Sequence, residues 1–98
     1  MNFNSKQRAN LRAMASTLEP VYIIGKGNVT DNVIKGIDEV LEKRELVKIT
    51  VLKTADKKAK DLINDLAFAL DAEPVCAIGN KIVLYRKSET EGVEHIVF

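Results

Sequence analysis

Val21-Tyr22-Ile23-Ile24-Gly25-Lys26-Gly27-Asn28-Val29-Thr30 puts a strand, a turn and a helix start into ten residues. The first four are continuously apolar, the pattern of a strand buried on both faces, and Gly25 ends it. Thr30 offers a side-chain oxygen to cap a helix, and Asp31 is favourable in the first turn. Val33, Ile34, Ile37, Val40 and Leu41 then recur as one buried stripe as far as about Arg44. Leu46 to Leu52 supplies the next strand, because Leu46, Lys48 and Thr50 alternate with the β-branched Val47, Ile49 and Val51. The whole stretch is a β-α-β unit with a glycine turn at its first corner.

Working outward, Leu11, Met14, Ala15 and Leu18 repeat at helical spacing, so a helix is expected from about Ser5 to Leu18, stopped by Pro20. On the other side Asp56 is placed to cap a third helix, with Ala59, Leu62, Ile63, Leu66, Ala67 and Leu70 inward. Its outer face mixes Lys57, Lys58 and Lys60 with Asp61 and Asp65, which favours pairing among themselves. Pro74 opens a last pair of strands, Val75-Cys76-Ala77-Ile78 and Ile82-Val83-Leu84-Tyr85, joined by Gly79-Asn80 as a tight hairpin. The order α-β-α-β-α-β-β predicts an α/β fold. Its four-stranded mixed sheet has three strands running one way, the fourth returning antiparallel and helices packed over it.

Ninety-eight residues with 46% hydrophobic and 30% charged side chains fit one compact domain over residues 1–98, with a core at about 4–87 and a tail at 88–98. The polar stretch from Lys87 to Gly92 is expected to be mobile, and Val93 to Phe98 is apolar enough to dock somewhere. No apolar run approaches the ~18 residues of a membrane span, and the first residues lack a signal peptide's apolar stretch, so a cytoplasmic monomer is expected. One cysteine, Cys76, and one histidine, His95, make neither an internal disulfide nor a zinc spacing. No metal, cofactor or catalytic residue is expected.

The formal net charge is only +1, but its distribution is uneven. Residues 1–35 hold five basic side chains against two acidic ones, whereas residues 36–73 hold seven against nine. The glycine turn lies in the positive third, at the C-terminal end of a strand, where open α/β sheets bind ligands. Glycines let backbone N–H groups approach a guest, a helix N-terminus follows, and Lys26 adds a full charge, so the guest is an anion such as phosphate. The spacing fits neither a P-loop nor a dinucleotide fingerprint, because the four intervening residues of the first and the third glycine of the second are missing. A phosphodiester backbone remains, which RNA-binding modules clamp with G-x-x-G loops.

Four segments occur together and in order: Ser5-Lys6-Gln7-Arg8-Ala9-Asn10-Leu11-Arg12, Ile24-Gly25-Lys26-Gly27-Asn28-Val29-Thr30, Glu45-Leu46-Val47-Lys48-Ile49, and Ile78-Gly79-Asn80-Lys81-Ile82-Val83-Leu84-Tyr85-Arg86. Together they resemble the CRM domain, the chloroplast RNA splicing and ribosome maturation module, in its stand-alone bacterial YhbY form, over roughly residues 4–87. The resemblance implies a fold like the C-terminal domain of translation initiation factor three. It also implies binding of structured ribosomal RNA and a role with the precursor of the large ribosomal subunit. One departure is visible, since the last position of the family's G-x-x-G is Asn28 here and the extra glycine is Gly27. Asn is the non-glycine residue that best tolerates a left-handed backbone, so the turn can survive the change. A KH domain also carries G-x-x-G, but between two helices, and here a strand precedes it.

The candidate RNA contacts are therefore Gly25, Lys26, Gly27 and Asn28 first, then Lys6, Arg8 and Arg12 on helix one, then Lys81 and Arg86. Each has a plainer reading: a tight turn for the glycines, a solvated helix face for the arginines, and exposed hairpin or strand-end positions for Lys81 and Arg86. Asp38, Glu39 and Glu42 form an acidic patch on helix two at solvated positions. Phe3, Tyr22, Phe68, Tyr85 and Phe98 are scattered along the chain and suggest no platform for stacking bases. Backbone contact and shape recognition are expected instead, with affinity falling roughly 0.7 to 0.9 log units per contacted phosphate for each tenfold rise in salt. The rival readings are a protein-interaction module using a sheet edge or the C-terminal tail, and sequence-independent binding of duplex DNA.

Overall fold

Short polar side chains set the helix starts. The computed structural model describes residues 3–27 and 29–98. Asn4 accepts from the Gln7 amide at 2.8 Å while the Gln7 side chain accepts from the Asn4 amide at 3.2 Å, a reciprocal cap that opens α1 (Ser5–Ala15). The hydroxyls of Ser16 and Thr17 then donate to the carbonyls of Ala13 and Met14, which ends α1 before the expected Leu18. Thr30 caps α2 (Asp31–Arg44) through its hydroxyl and the Val33 amide, as its position suggested. The third helix departs from expectation. The N-cap of α3 (Ala59–Leu70) is the extended Lys58, with no side-chain cap bond, because the chain still bends through Asp56 and Lys57 and turns helical two residues later than expected.

The strands are β1 (Tyr22–Ile24), β2 (Leu46–Val51), β3 (Glu73–Ile78) and β4 (Lys81–Tyr85), and they lie in the order β1-β2-β4-β3. β1 pairs parallel with β2, and β4 pairs antiparallel with both β2 and β3. Three strands therefore run one way and the hairpin strand β4 slots between two of them. The register of β3 shifts between Pro74 and Cys76, where proline has no N–H to donate to the ladder.

Period two decides which side of the sheet each residue serves. Ile24, Val47, Ile49, Val51, Ile82 and Leu84 pack with the inward stripes of α2 and α3. On the opposite face Leu46, Val83 and Tyr85 pack with Val75 and with Leu11 and Ala15 of α1. Truncating a fully enclosed residue such as Ile49 to Ala would cost about 2 to 5 kcal/mol. β1 is not buried on both faces as its composition suggested. It is an edge strand whose one covered side meets α2, and Ile23 on the other side is 62% exposed.

The tail is held rather than loose. Glu45, wholly buried at the left-handed end of α2 (φ 65°), accepts from the Ser88 and Ile96 amides at 2.6 and 2.7 Å. Ser88 donates from its hydroxyl to the Glu42 carbonyl at 2.6 Å. Phe98 then meets Phe3 and Tyr85 edge-on, with ring centroids 4.9 to 5.5 Å apart. Phe3, Tyr85 and Phe98, scattered in sequence, thus converge on the α1 side of the sheet, while Tyr22 packs on the other side and Phe68 stands exposed.

Candidate nucleic-acid interface

β1, β2 and β3 all deliver their C-terminal ends to the same edge of the sheet, so three connections gather there: the glycine turn, the run from Leu52 to Lys58, and the Gly79-Asn80 turn. Gly25 abuts the second of these, since a β-carbon there would lie 3.4 Å from Leu52 Cδ1 and 3.7 Å from Thr54 Oγ1. Gly27 takes φ +93° with open space around it, a backbone state that side chains rarely adopt. Lys26 between them is exposed, and among the described residues no acceptor is bonded to the Lys26 or Gly27 amides. Asn28, the fourth loop candidate, lies outside the described residues. Asp31 brings an exposed carboxylate to the first turn of α2, so Lys26 and the glycine amides, more than the helix end, supply the local positive field.

α1 covers only half of its sheet face. Across the uncovered half runs one row of residues in register: Ile23 on β1, Thr50 on β2, Lys81 on β4 and Ile78 on β3. Lys81 donates to Thr50 Oγ1 at 3.0 Å, and the apolar ends of the row stand bare, with Ile78 61% exposed. In the neighbouring row Lys48 Nζ lies 3.4 Å from both the Ala15 and Leu18 carbonyls, so a sheet lysine meets the open C-terminal end of α1. Arg12, Lys48 and Lys81 surround a hollow of about 250 Å³ floored by Ala15, Cys76, Ile78 and Val83. Burial pushes the Cys76 thiol up, although Arg12, Lys48 and Arg8 pull it down, so the sulfur is neutral and apolar here.

Two candidate arginines point elsewhere. Arg8 donates to the Pro74 carbonyl, lies 3.8 Å from Glu73 and sits 5.8 Å over the Phe3 ring, tying α1 to β3. It therefore does not extend Arg12 into a phosphate-spanning stripe. Arg86 is held by Asp38 at 2.7 Å, Glu42 at 3.0 Å and the Leu70 carbonyl at 2.7 Å, with 18% of its side chain exposed. Asp38 and Glu42 of the acidic patch are thus its counterions, and Arg86 joins β4 to α2 and α3. The Thr90 hydroxyl, against an opposing cost of burial, holds the Glu42 carboxyl below the usual carboxylate range, helped by the Glu89 amide and Arg86. The hollow beside them, about 360 Å³ between Asp38, Glu42, Asp71, Glu89, Lys87 and Arg86, would repel a phosphate.

Lys6 is exposed on α1. Lys57 pairs with Asp65 at 2.9 Å, in line with its mixed-charge surroundings. Lys48, Thr50, Ile23 and Ile78 are functional candidates that the sequence reading passed over. The signal for two of them was present, since Lys48 and Thr50 are the polar phase of an otherwise apolar strand and imply that one sheet face is partly open. Among the described residues no three His, Cys, Asp or Glu side chains are grouped to hold a metal ion, and no helix is long and apolar enough to cross a membrane.

The sequence and the fold both have known relatives. The family model of the CRS1 / YhbY (CRM) domain matches residues 3–86. A Bacillus subtilis protein named "Probable RNA-binding protein YqeI" is 43% identical over 84 residues, covering 86% of this chain and 88% of its own length. A Haemophilus influenzae protein named "RNA-binding protein" is 35% identical over 92 residues, covering 93% and 92%. The solution structure of a Staphylococcus aureus protein proposed to bind RNA superposes with a TM-score of 0.77 at 39% identity, covering 95% of this chain and 98% of that one.

Proposed function

This chain belongs to the CRS1/YhbY (CRM) domain family, and from that premise we propose that it is a non-catalytic protein that binds structured RNA. The Gly25-Lys26-Gly27 turn and the cations of the open sheet face grip the sugar-phosphate backbone. The target is ribosomal RNA in a precursor of the large ribosomal subunit, met by a monomeric single domain in the cytoplasm. The names of two relatives support RNA as the ligand class, and the ribosomal target follows from what the family resemblance implies.

One observation carries the reading: the exposed Lys26 stands in a turn whose Lys26 and Gly27 amides find no acceptor among the described residues, at the sheet end where Lys81 also lies. Such a turn offers charge-assisted hydrogen bonds to a phosphate oxygen without first breaking internal ones. The tail argues against its use as a free recognition peptide, because Ser88, Ile96 and Phe98 are already engaged with the body of the protein.

The test is a titration of a structured ribosomal RNA fragment, duplex DNA and single-stranded RNA at several salt concentrations, with wild type and Lys26→Ala. Structured RNA should bind tightest, and the variant should show a shallower salt dependence. Identical affinities of the two proteins for all three nucleic acids would remove the turn from the interface.

A further inference from the structure

The hollow beside the end of α1 combines an apolar floor with a cationic rim, and the fold itself requires neither. A gap in a packed core is normally filled by side chains, yet here Cys76, Ile78 and Val83 floor a space of about 250 Å³ that opens to solvent. Arg12, Lys48 and Lys81 stand around it, and among the described residues no carboxylate lines it. Lys81 is steadied by Thr50, and Lys48 by the carbonyls of Ala15 and Leu18, so both ammonium groups hold fixed places while keeping protons to donate. A patch meant for phosphate alone would have no use for bare isoleucines at Ile78 and Ile23. A patch meant for an apolar partner would have no use for three cations.

A flat apolar body with an anionic linkage on each side satisfies both halves. We infer that this hollow receives one unpaired nucleotide bulged from an RNA helix, its base on the floor and its flanking phosphates on Lys48, Lys81 and Arg12; the inference rests on the RNA-binding reading above. Bases that have left the stack are what proteins can read in RNA, and the guanidinium plane of Arg12 can lie against one where no aromatic ring is present. β4 is two strand spacings from β1, about 10 Å, so one RNA helix can engage the hollow and the glycine turn together. The protein then selects RNA helices with a defect over perfect duplexes.

The experiment uses two labelled RNA hairpins, identical except that one carries a single bulged 2-aminopurine. Wild type should prefer the bulged hairpin by about tenfold, the effect of burying ~60 Å² of apolar surface, and the 2-aminopurine emission should change on binding. Ile78→Ser, at a position already exposed, should abolish the preference, so that the bulged and paired hairpins bind alike. Lys26→Ala should weaken binding of both hairpins and keep the preference. Equal wild-type affinity for the two hairpins, with unchanged emission, overturns the nucleotide hollow while leaving the turn's role standing. If neither hairpin binds, the RNA-binding reading falls and the hollow with it.

Discussion

His95 Nδ1 lies 2.6 Å from Glu45 Oε2, so the buried carboxylate that follows the last residue of α2 is also the anchor of the C-terminal tail. Burial alone would raise the Glu45 pKa, but His95 and the Ser88 and Ile96 amides outweigh it and hold the carboxyl below its usual range. The unfolded chain therefore takes up a proton here before the folded one does, and this contribution is fully present above about pH 4.5 and lost as the pH falls further. Thermal melts across that window should show an acid slope that is smaller in Glu45→Gln. At neutral pH the same variant should lose about 1 to 3 kcal/mol, because the Gln amide nitrogen cannot accept and one of the donors that Glu45 served, the Ser88 or Ile96 amide, loses its partner.

The ring tip of Tyr22 occupies the space where any side chain on Gly36 would begin. Gly36→Ala should cost about 1 to 3 kcal/mol in forced repacking, offset by about 1 kcal/mol of better helix propensity. A net fall in Tm of several degrees is expected. In a Tyr22→Leu background the obstruction is gone, and there the same change should be neutral or stabilising. Urea unfolding of the four proteins checks this.

Arg86 and Lys81 make opposite predictions, although both are basic and close in sequence. Arg86→Ala should lose about 2 kcal/mol, after allowance for partial solvent screening, and leave the salt dependence of RNA binding unchanged. Lys81→Ala should stay within about 0.5 kcal/mol of wild type in stability. Its salt slope should become shallower by roughly 0.7 to 0.9 log units, the share of one phosphate contact. Denaturant titration paired with binding at three salt concentrations separates the two.

Gly27→Val should weaken RNA binding far more than it lowers the melting temperature. At φ +93° a β-branched residue is strained by about 1 to 3 kcal/mol, but apart from its chain neighbours no described residue comes within 4 Å of a β-carbon there, so the turn can relax into another shape at little global cost. Gly27→Asn should retain more affinity than Gly27→Val, since asparagine tolerates such a backbone better. A binding curve and a melt for each variant decide it.

Element order, the cap at Thr30, the inward stripe of α3 and the two-residue hairpin turn were legible because each rests on neighbours a few residues apart. The internal pairing of Arg86 was not legible, for the converse reason. Its partners Asp38 and Glu42 are more than 40 residues away, and a strand-end arginine looks the same whether it faces RNA or a carboxylate. Lys48 was overlooked because its place on the rim depends on where α1 stops, and Ser16 and Thr17 end that helix earlier than its apolar spacing implied.

By itself the chain's order of residues determined the alternation of helices and strands, the glycine turn with Lys26 at its centre, and the family resemblance, since all of these are local patterns of backbone preference and period. The tertiary structure alone decided which cations are free and which are consumed inside the protein, and that half of one sheet face stays bare. Those outcomes depend on which distant segments meet, and the free energy of a charge is set by what surrounds it in space.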